Sequence, residues 1–109
     1  MKIKQLLPSL KERKRYLVFE IIGDRVKSDS IKLSVHSTLM KFLGEYGFSK
    51  LNYRFIKYNT NKGMIKVSNK FVDHTKAALI MINEIDGKEV IVRSLGVSGT
   101  MNKAEGYLR

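Results

Sequence analysis

Four cations stand within five positions, Lys11, Arg13, Lys14 and Arg15, and the chain runs from them directly into Tyr16-Leu17-Val18-Phe19-Glu20-Ile21-Ile22. The second stretch is β-branched and aromatic and reads as a buried strand. The charge is therefore fixed to a core element, which suits contact with a polyanion. A second group lies near the C-terminus: Arg93, then Ser98 and Gly99 in the small-residue run Gly96-Val97-Ser98-Gly99-Thr100, then Lys103. That run either turns tightly into a last helix or presents backbone N–H groups to a phosphate. Arg54, Tyr58 and Lys66 are further candidates for nucleic-acid or partner contact.

Catalytic chemistry is harder to build. Nucleophilic catalysis needs a base beside a nucleophile, and the histidines, His36 and His74, both fall on expected helices. Each reads as a surface or boundary residue. Asp24 and Asp29 share a loop, but turn and cap duties account for them, and no spacing of Asp, Glu and His matches a metal site. The segment Gly23-Asp24-Arg25-Val26-Lys27 could be compared with the phosphate cradle of small acylphosphatases. It has one glycine and places an anion where phosphate would sit. We expect no catalytic residue and no metal ligand on this chain.

Composition points the same way. Lys and Arg number 21 against 10 Asp and Glu, a formal charge of +11. A lysine-rich background would bring glutamate with it, so the imbalance speaks of a nucleic acid or an anionic surface as partner. There are no cysteines, which excludes disulfides and thiolate sites and fits a reducing cytoplasm. No apolar run is long enough for a membrane span, and no signal peptide is apparent. At 109 residues the chain makes one domain, burying roughly 65% of the surface its unfolded form exposes.

The elements that position these residues follow from periodicity. Residues 1–10 form an arm. Residues 16–22 form the first strand, with Leu17, Phe19 and Ile21 on one face and Tyr16, Val18, Glu20 and Ile22 on the other. Ser28, Asp29 and Ser30 are N-cap residues, and Ile31, Val35, Leu39, Phe42, Leu43 and Tyr46 form a helical stripe over 31–46 that Gly47 closes. Residues 50–59 alternate as a second strand, 59–63 carry turn chemistry, and 64–67 form a third strand. A second helix runs from Ser68 or Asn69 through Ile85 and stops at Gly87. Residues 89–95 make a fourth strand, and 102–108 a short helix after the turn at 96–100.

The order β-α-β-β-α-β over 16–95 predicts an α+β, ferredoxin-like sandwich. Its antiparallel sheet has the order 4-1-3-2, with two helices on one face and 96–109 as a C-terminal appendage. The other face is expected to be open, carrying Glu20, Arg54, Tyr58, Lys66 and Arg93 beside Val18, Ile22, Ile56, Met64 and Ile91. RNA-recognition modules share this topology and stack bases on central-strand aromatics. The third strand, Lys62-Gly63-Met64-Ile65-Lys66-Val67, begins like their motif but has Met and Lys where the aromatics belong. Phosphate contact is favoured over base reading on the strands.

Leu10-Lys11-Glu12-Arg13-Lys14-Arg15-Tyr16 leading into a strand, Ile91-Val92-Arg93-Ser94-Leu95-Gly96-Val97-Ser98-Gly99-Thr100, and a middle helix with Ala77-Ala78-Leu79 together resemble the archaeal ribonuclease P protein component 2 family. The resemblance covers nearly the whole chain. It implies a non-catalytic subunit of an RNA-based endonuclease that removes the 5′ leader from precursor tRNA. The hydrolysis would occur at the RNA with Mg2+ held there. The implied partners are the ribonuclease P RNA, precursor tRNA in the holoenzyme and ribonuclease P protein component 3, with self-association as a further expectation and no membrane. On charge placement, Lys11, Arg13, Lys14, Arg15, Arg93, Ser98, Gly99 and Lys103 are the expected RNA-binding residues. The alternatives are a protein-binding scaffold of another ribonucleoprotein, or a small acylphosphatase-like enzyme.

Overall fold

The run after Arg15 is apolar on both faces, and it becomes an interior strand covered on both sides. In the computed structural model, which describes residues 13–109, β1 (Lys14–Ile22) lies between β3 (Lys62–Ser68) and β6 (Ile91–Ser98), with β2 (Arg54–Asn59) outside β3. All neighbours are antiparallel. With β6 as the fourth strand, this is the expected 4-1-3-2 order and a ferredoxin-like sandwich. The expected arm at 1–10 and Lys11 lie outside the described residues.

One face of the sheet carries the main core. Leu17, Phe19 and Ile21 pack there with Ile65, Val67 and Val92, under α1 (Ser28–Leu51) and α2 (Val72–Ile80). From α1 come Ile31, Val35 and Leu39, three of the expected stripe positions, all fully buried; α2 adds Thr75, Ala78 and Leu79. Burial of each Ile, Val or Leu side chain among them stabilises by about 1.5–3 kcal/mol.

The first helix and the second strand differ from expectation in their boundaries, for local reasons. The first helix begins at Ser28, so Ser28, Asp29 and Ser30 form its first turn rather than its cap. It then continues past Tyr46 to Leu51 across a break at Gly44 (φ 75°, ψ 173°). Gly47 is helical; the left-handed cap falls to Asn52 (φ 53°). Residues 50–53 therefore end a helix instead of starting a strand. Leu51 fits both an alternating and a helical pattern, and its complete burial from the helix settles the choice.

The second helix is also shorter than its stripe. After a 3-10 turn at Asn69–Phe71, α2 ends at Ile80, and β4 (Glu84–Ile85) and β5 (Lys88–Glu89) form a hairpin. Its turn is Asp86-Gly87, with both φ values positive at 54° and 79°. Asp-Gly is a strong type I′ hairpin signal, and it takes precedence over Gly87 as a helix stop. Ile82 and Ile85 are still buried, delivered by the loop and the hairpin. The β2–β3 connection is likewise tighter than 59–63, a two-residue turn at Thr60 and Asn61 (φ 47° and 61°). Asn61 then ties this turn to the loop after β1. Its Oδ1 accepts from Val26 N (2.9 Å), its Nδ2 donates to Asp24 O (3.1 Å), and its carbonyl accepts from Ile21 N (2.7 Å).

The face expected to be open is partly covered. β6 continues through Gly96, Val97 and Ser98, where the small-residue run predicts a turn. The chain then folds back as α3 (Met101–Glu105) and a 3-10 turn (Gly106–Leu108). Thr100 caps α3, its hydroxyl accepting from Lys103 N (3.4 Å). Ala104 completes a second small core with Val18 and Met64, flanked by Tyr16, Ile56, Leu95 and Leu108. A Lys57–Glu105 ion pair joins α3 to β2.

Candidate nucleic-acid interface

The start of β1 places its cations at one end of the sheet. Antiparallel pairing brings Arg54 of β2 opposite Lys66 of β3, Lys66 opposite Tyr16 of β1, and Tyr16 opposite Ser98 of β6. One row thus crosses all four strands on the α3 side of the sheet. Lys14 stands two residues before Tyr16 on the same face, as strand alternation requires. Lys14, Arg54 and Lys66 meet no carboxylate among the described residues. The Lys66 ammonium is held below the ordinary lysine range, first by partial burial and then by the like charges of Lys14 and Arg54. Three strands therefore converge on positive charge that no carboxylate among the described residues compensates.

The neighbouring cations extend this edge. Arg15 lies beside the start of the last turn: its Nη1 donates to Lys14 O (3.1 Å) and stands 3.5 Å from where a Cβ on Gly99 would be. Arg13 is exposed, and its carbonyl accepts from Asn69 N (2.7 Å), which brings exposed Lys70 to the same end. Lys103 is exposed on α3 and lines a surface hollow with Val97, Ser98, Gly99, Gly106 and Tyr107. Arg13, Lys14, Arg15, Ser98, Gly99, Lys103, Arg54 and Lys66 thus fall at one end of the sheet.

Two candidates fall elsewhere. Arg93 pairs with Glu20 in register, its Nε 2.6 Å from Glu20 Oε1. That pair lies four residues along β1 from Tyr16, roughly 13 Å at the usual strand rise, and its charge is neutralised locally. Tyr58 faces the helices instead of α3. A register shift between Phe55 and Lys57 reverses the alternation beyond Ile56, so Lys57 takes the outer face and Tyr58 packs against the main core. The Tyr58 hydroxyl donates to Val26 O (2.7 Å), and burial pushes its pKa up. Bulges leave no plain signal in an alternating pattern. Lys70 and Tyr107, absent from the sequence candidates, join the edge through tertiary contact. The one sequence sign for Tyr107 is Gly96, since glycine inside a strand often marks close approach.

The remaining polar candidates have structural partners. Among the described residues no three His, Asp or Glu side chains gather as a metal-binding group. His36 lies against Phe48, with ring centroids 4.9 Å apart, and His74 against Phe71 at 5.5 Å. The loop after β1 directs its Val26 N–H to Asn61, and Asp24 there faces Lys88 at 3.8 Å. No helix among the described residues is long and apolar enough to cross a membrane.

Comparison with known proteins agrees with this architecture. A ribonuclease P protein component 2 from Pyrococcus abyssi is 37% identical over 106 residues, covering 94% of this chain and 90% of its own. The proteins of that name from Thermococcus kodakarensis and Methanocaldococcus jannaschii are 39% and 36% identical, covering 88% and 78% of their lengths. A chain in the cryo-EM structure of yeast ribonuclease MRP has the same fold, with a TM-score of 0.67 at 15% identity over 83% of this chain and 76% of that one. The Rpp14/Pop5 family model matches residues 15–109, from Arg15 in β1 through the last helical turn, and the chain belongs to the Rpp14/Pop5 family.

Proposed function

We propose that this chain is an RNA-binding protein subunit of ribonuclease P that supports the catalytic RNA as it removes the 5′ leader from precursor tRNA. The observation that carries the reading is the cluster of Lys14, Arg54 and Lys66, which meets no carboxylate among the described residues, on a chain of this family. Cations held by three hydrogen-bonded strands act as a preorganised brace. By neutralising phosphates they lower the repulsion between RNA segments that must approach one another. The chain supplies no nucleophile or general base in this scheme. The hydrolytic chemistry, with its Mg2+, belongs to the RNA.

A protein partner such as ribonuclease P protein component 3 needs a different surface. Leu33 and Met81 are 68% and 61% exposed and line a shallow groove with Ser34, Ser37, Thr38 and Ile82, away from the cationic edge. That placement supports simultaneous RNA and protein contact. A cytoplasmic location, self-association and contact with precursor tRNA in the holoenzyme belong to the same proposal.

Reconstitution tests it. Omitting this chain from a mixture of the ribonuclease P RNA and its other proteins should slow leader removal at limiting Mg2+. Addition should restore the rate. An unchanged rate would overturn the assignment.

A further inference from the structure

The hollow between β6 and the last turn has an aromatic floor. Gly96 sits in β6 opposite Val18, on the face that α3 covers. A Cβ built on Gly96 would lie 2.3, 2.4 and 2.5 Å from Cζ, Cε1 and Cε2 of Tyr107. A point almost equidistant from three adjacent ring atoms lies over the ring face, since a point beyond the ring edge would be far closer to Cζ than to the others. Tyr107 therefore lies flat on the glycine backbone, in space that any side chain at 96 would fill. Leu108, the next residue, packs against the second core and fixes the turn.

One face of the Tyr107 ring is seated, yet the residue is still 43% exposed and borders the open hollow beside β6. With one side against Gly96, the ring has its opposite side and rim left to meet a ligand. Around it the hollow is lined by Ser98, Gly99 and Lys103, and Arg15 stands beside Gly99. Tyr46 offers a contrast. It is more exposed, at 75%, but the Lys50 ammonium sits 4.6 Å from its ring centroid and covers a face.

We infer that Tyr107 is a stacking platform for one unpaired nucleobase, whose flanking phosphates are taken by Lys103 and Arg15. Any base has a π-face and can stack on a phenol ring without sequence preference. Bases within a duplex are already stacked and have no face to offer. The site therefore selects single-stranded RNA next to a surface that otherwise counts phosphates. It rests on the RNA-binding reading above and adds a preference for strandedness.

The test compares the full chain and its Tyr107 variants on a single-stranded RNA oligonucleotide and on duplex RNA with the same number of phosphates. Tyr107→Leu should weaken single-strand binding by about 5- to 150-fold, the range of one base–aromatic stack, and leave duplex binding unchanged. Tyr107→Phe should bind both as the parent does. Photocrosslinking of a 4-thiouridine oligonucleotide to the unaltered chain should place the adduct at Tyr107, whatever the variants' stability. Equal loss on both RNAs, no loss on either, or an adduct confined to other residues would each overturn the platform. If the unaltered chain binds neither RNA, the RNA-binding reading falls and the platform with it. If it binds both with the expected salt dependence and Tyr107→Leu changes nothing, the platform alone falls.

Discussion

Replacing Lys14, Arg54 and Lys66 together by Ala should change the salt dependence of RNA binding by an amount the structure sets. Among the cations at this end of the sheet, Arg13, Lys14, Arg15, Arg54, Lys66 and Lys103 offer six phosphate contacts. Each phosphate neutralised contributes about −0.7 to −0.9 to the slope of log K against log salt, so full engagement gives roughly −4 to −5. Removing three contacts should make the slope shallower by about 2 to 3. Between 50 and 200 mM salt the parent should then lose about 300- to 2,000-fold in affinity, and the triple variant only about 20- to 40-fold. Fluorescence anisotropy of a labelled RNA across a salt series reads both slopes. The fold should survive, because the three side chains repel one another and meet no carboxylate among the described residues. A thermal melt checks this. A folded triple variant with the parent's slope would refute the assignment of the RNA contact to this edge.

Two further predictions concern single residues. The Lys66 pKa is depressed by burial and by Lys14 and Arg54, so its charged form is disfavoured in the folded state below that pKa. The penalty is relieved as pH rises through the window between the lowered value and the ordinary lysine range. RNA affinity should therefore begin to fall at a lower pH than ordinary lysines would give, and Lys66→Arg, which stays charged, should delay the fall; superimposable pH profiles would contradict this. Gly63→Ala would bring a Cβ to 2.6 Å from Phe19 Cζ and 3.2 Å from Tyr58 Cδ1. Phe19 is fully buried and cannot retreat, so overpacking should cost about 1–3 kcal/mol, read as a lower urea midpoint; an unchanged midpoint would show that the sheet yields freely there.

Much of this protein was legible in its residues. The two-faced apolar run after Arg15 marks an interior strand because alternation leaves neither face to solvent. The element order then permits few topologies, and the run Arg93-Ser94-Leu95-Gly96-Val97-Ser98-Gly99-Thr100 carries the family resemblance. The reading fails where two local signals compete. Gly44 and Gly47 could each interrupt or end a helix, and burial of Leu51 decides for continuation. Gly87 could stop a helix or turn a hairpin, and the positive φ of both Asp86 and Gly87, with Glu84–Ile85 paired to Lys88–Glu89, decides for the hairpin.

The candidate site divides along the same line. That cations lead into the central strand, that they outnumber carboxylates and that a small-residue run lies near the C-terminus all follow from the sequence alone. Covalent neighbours and charge counts do not depend on folding. Which cations act together depends on register. Pairing aligns Lys66 with Arg54 and with Tyr16, whereas Arg93 is aligned with Glu20 and neutralised. One irregularity in β2 turns Tyr58 from the outer face to the core. The return of α3 over Val18 and Met64 closes a face that alternation alone would leave open, and lays Tyr107 flat on Gly96. Such contacts join residues distant in sequence through shape and burial, so only the tertiary structure could assign them.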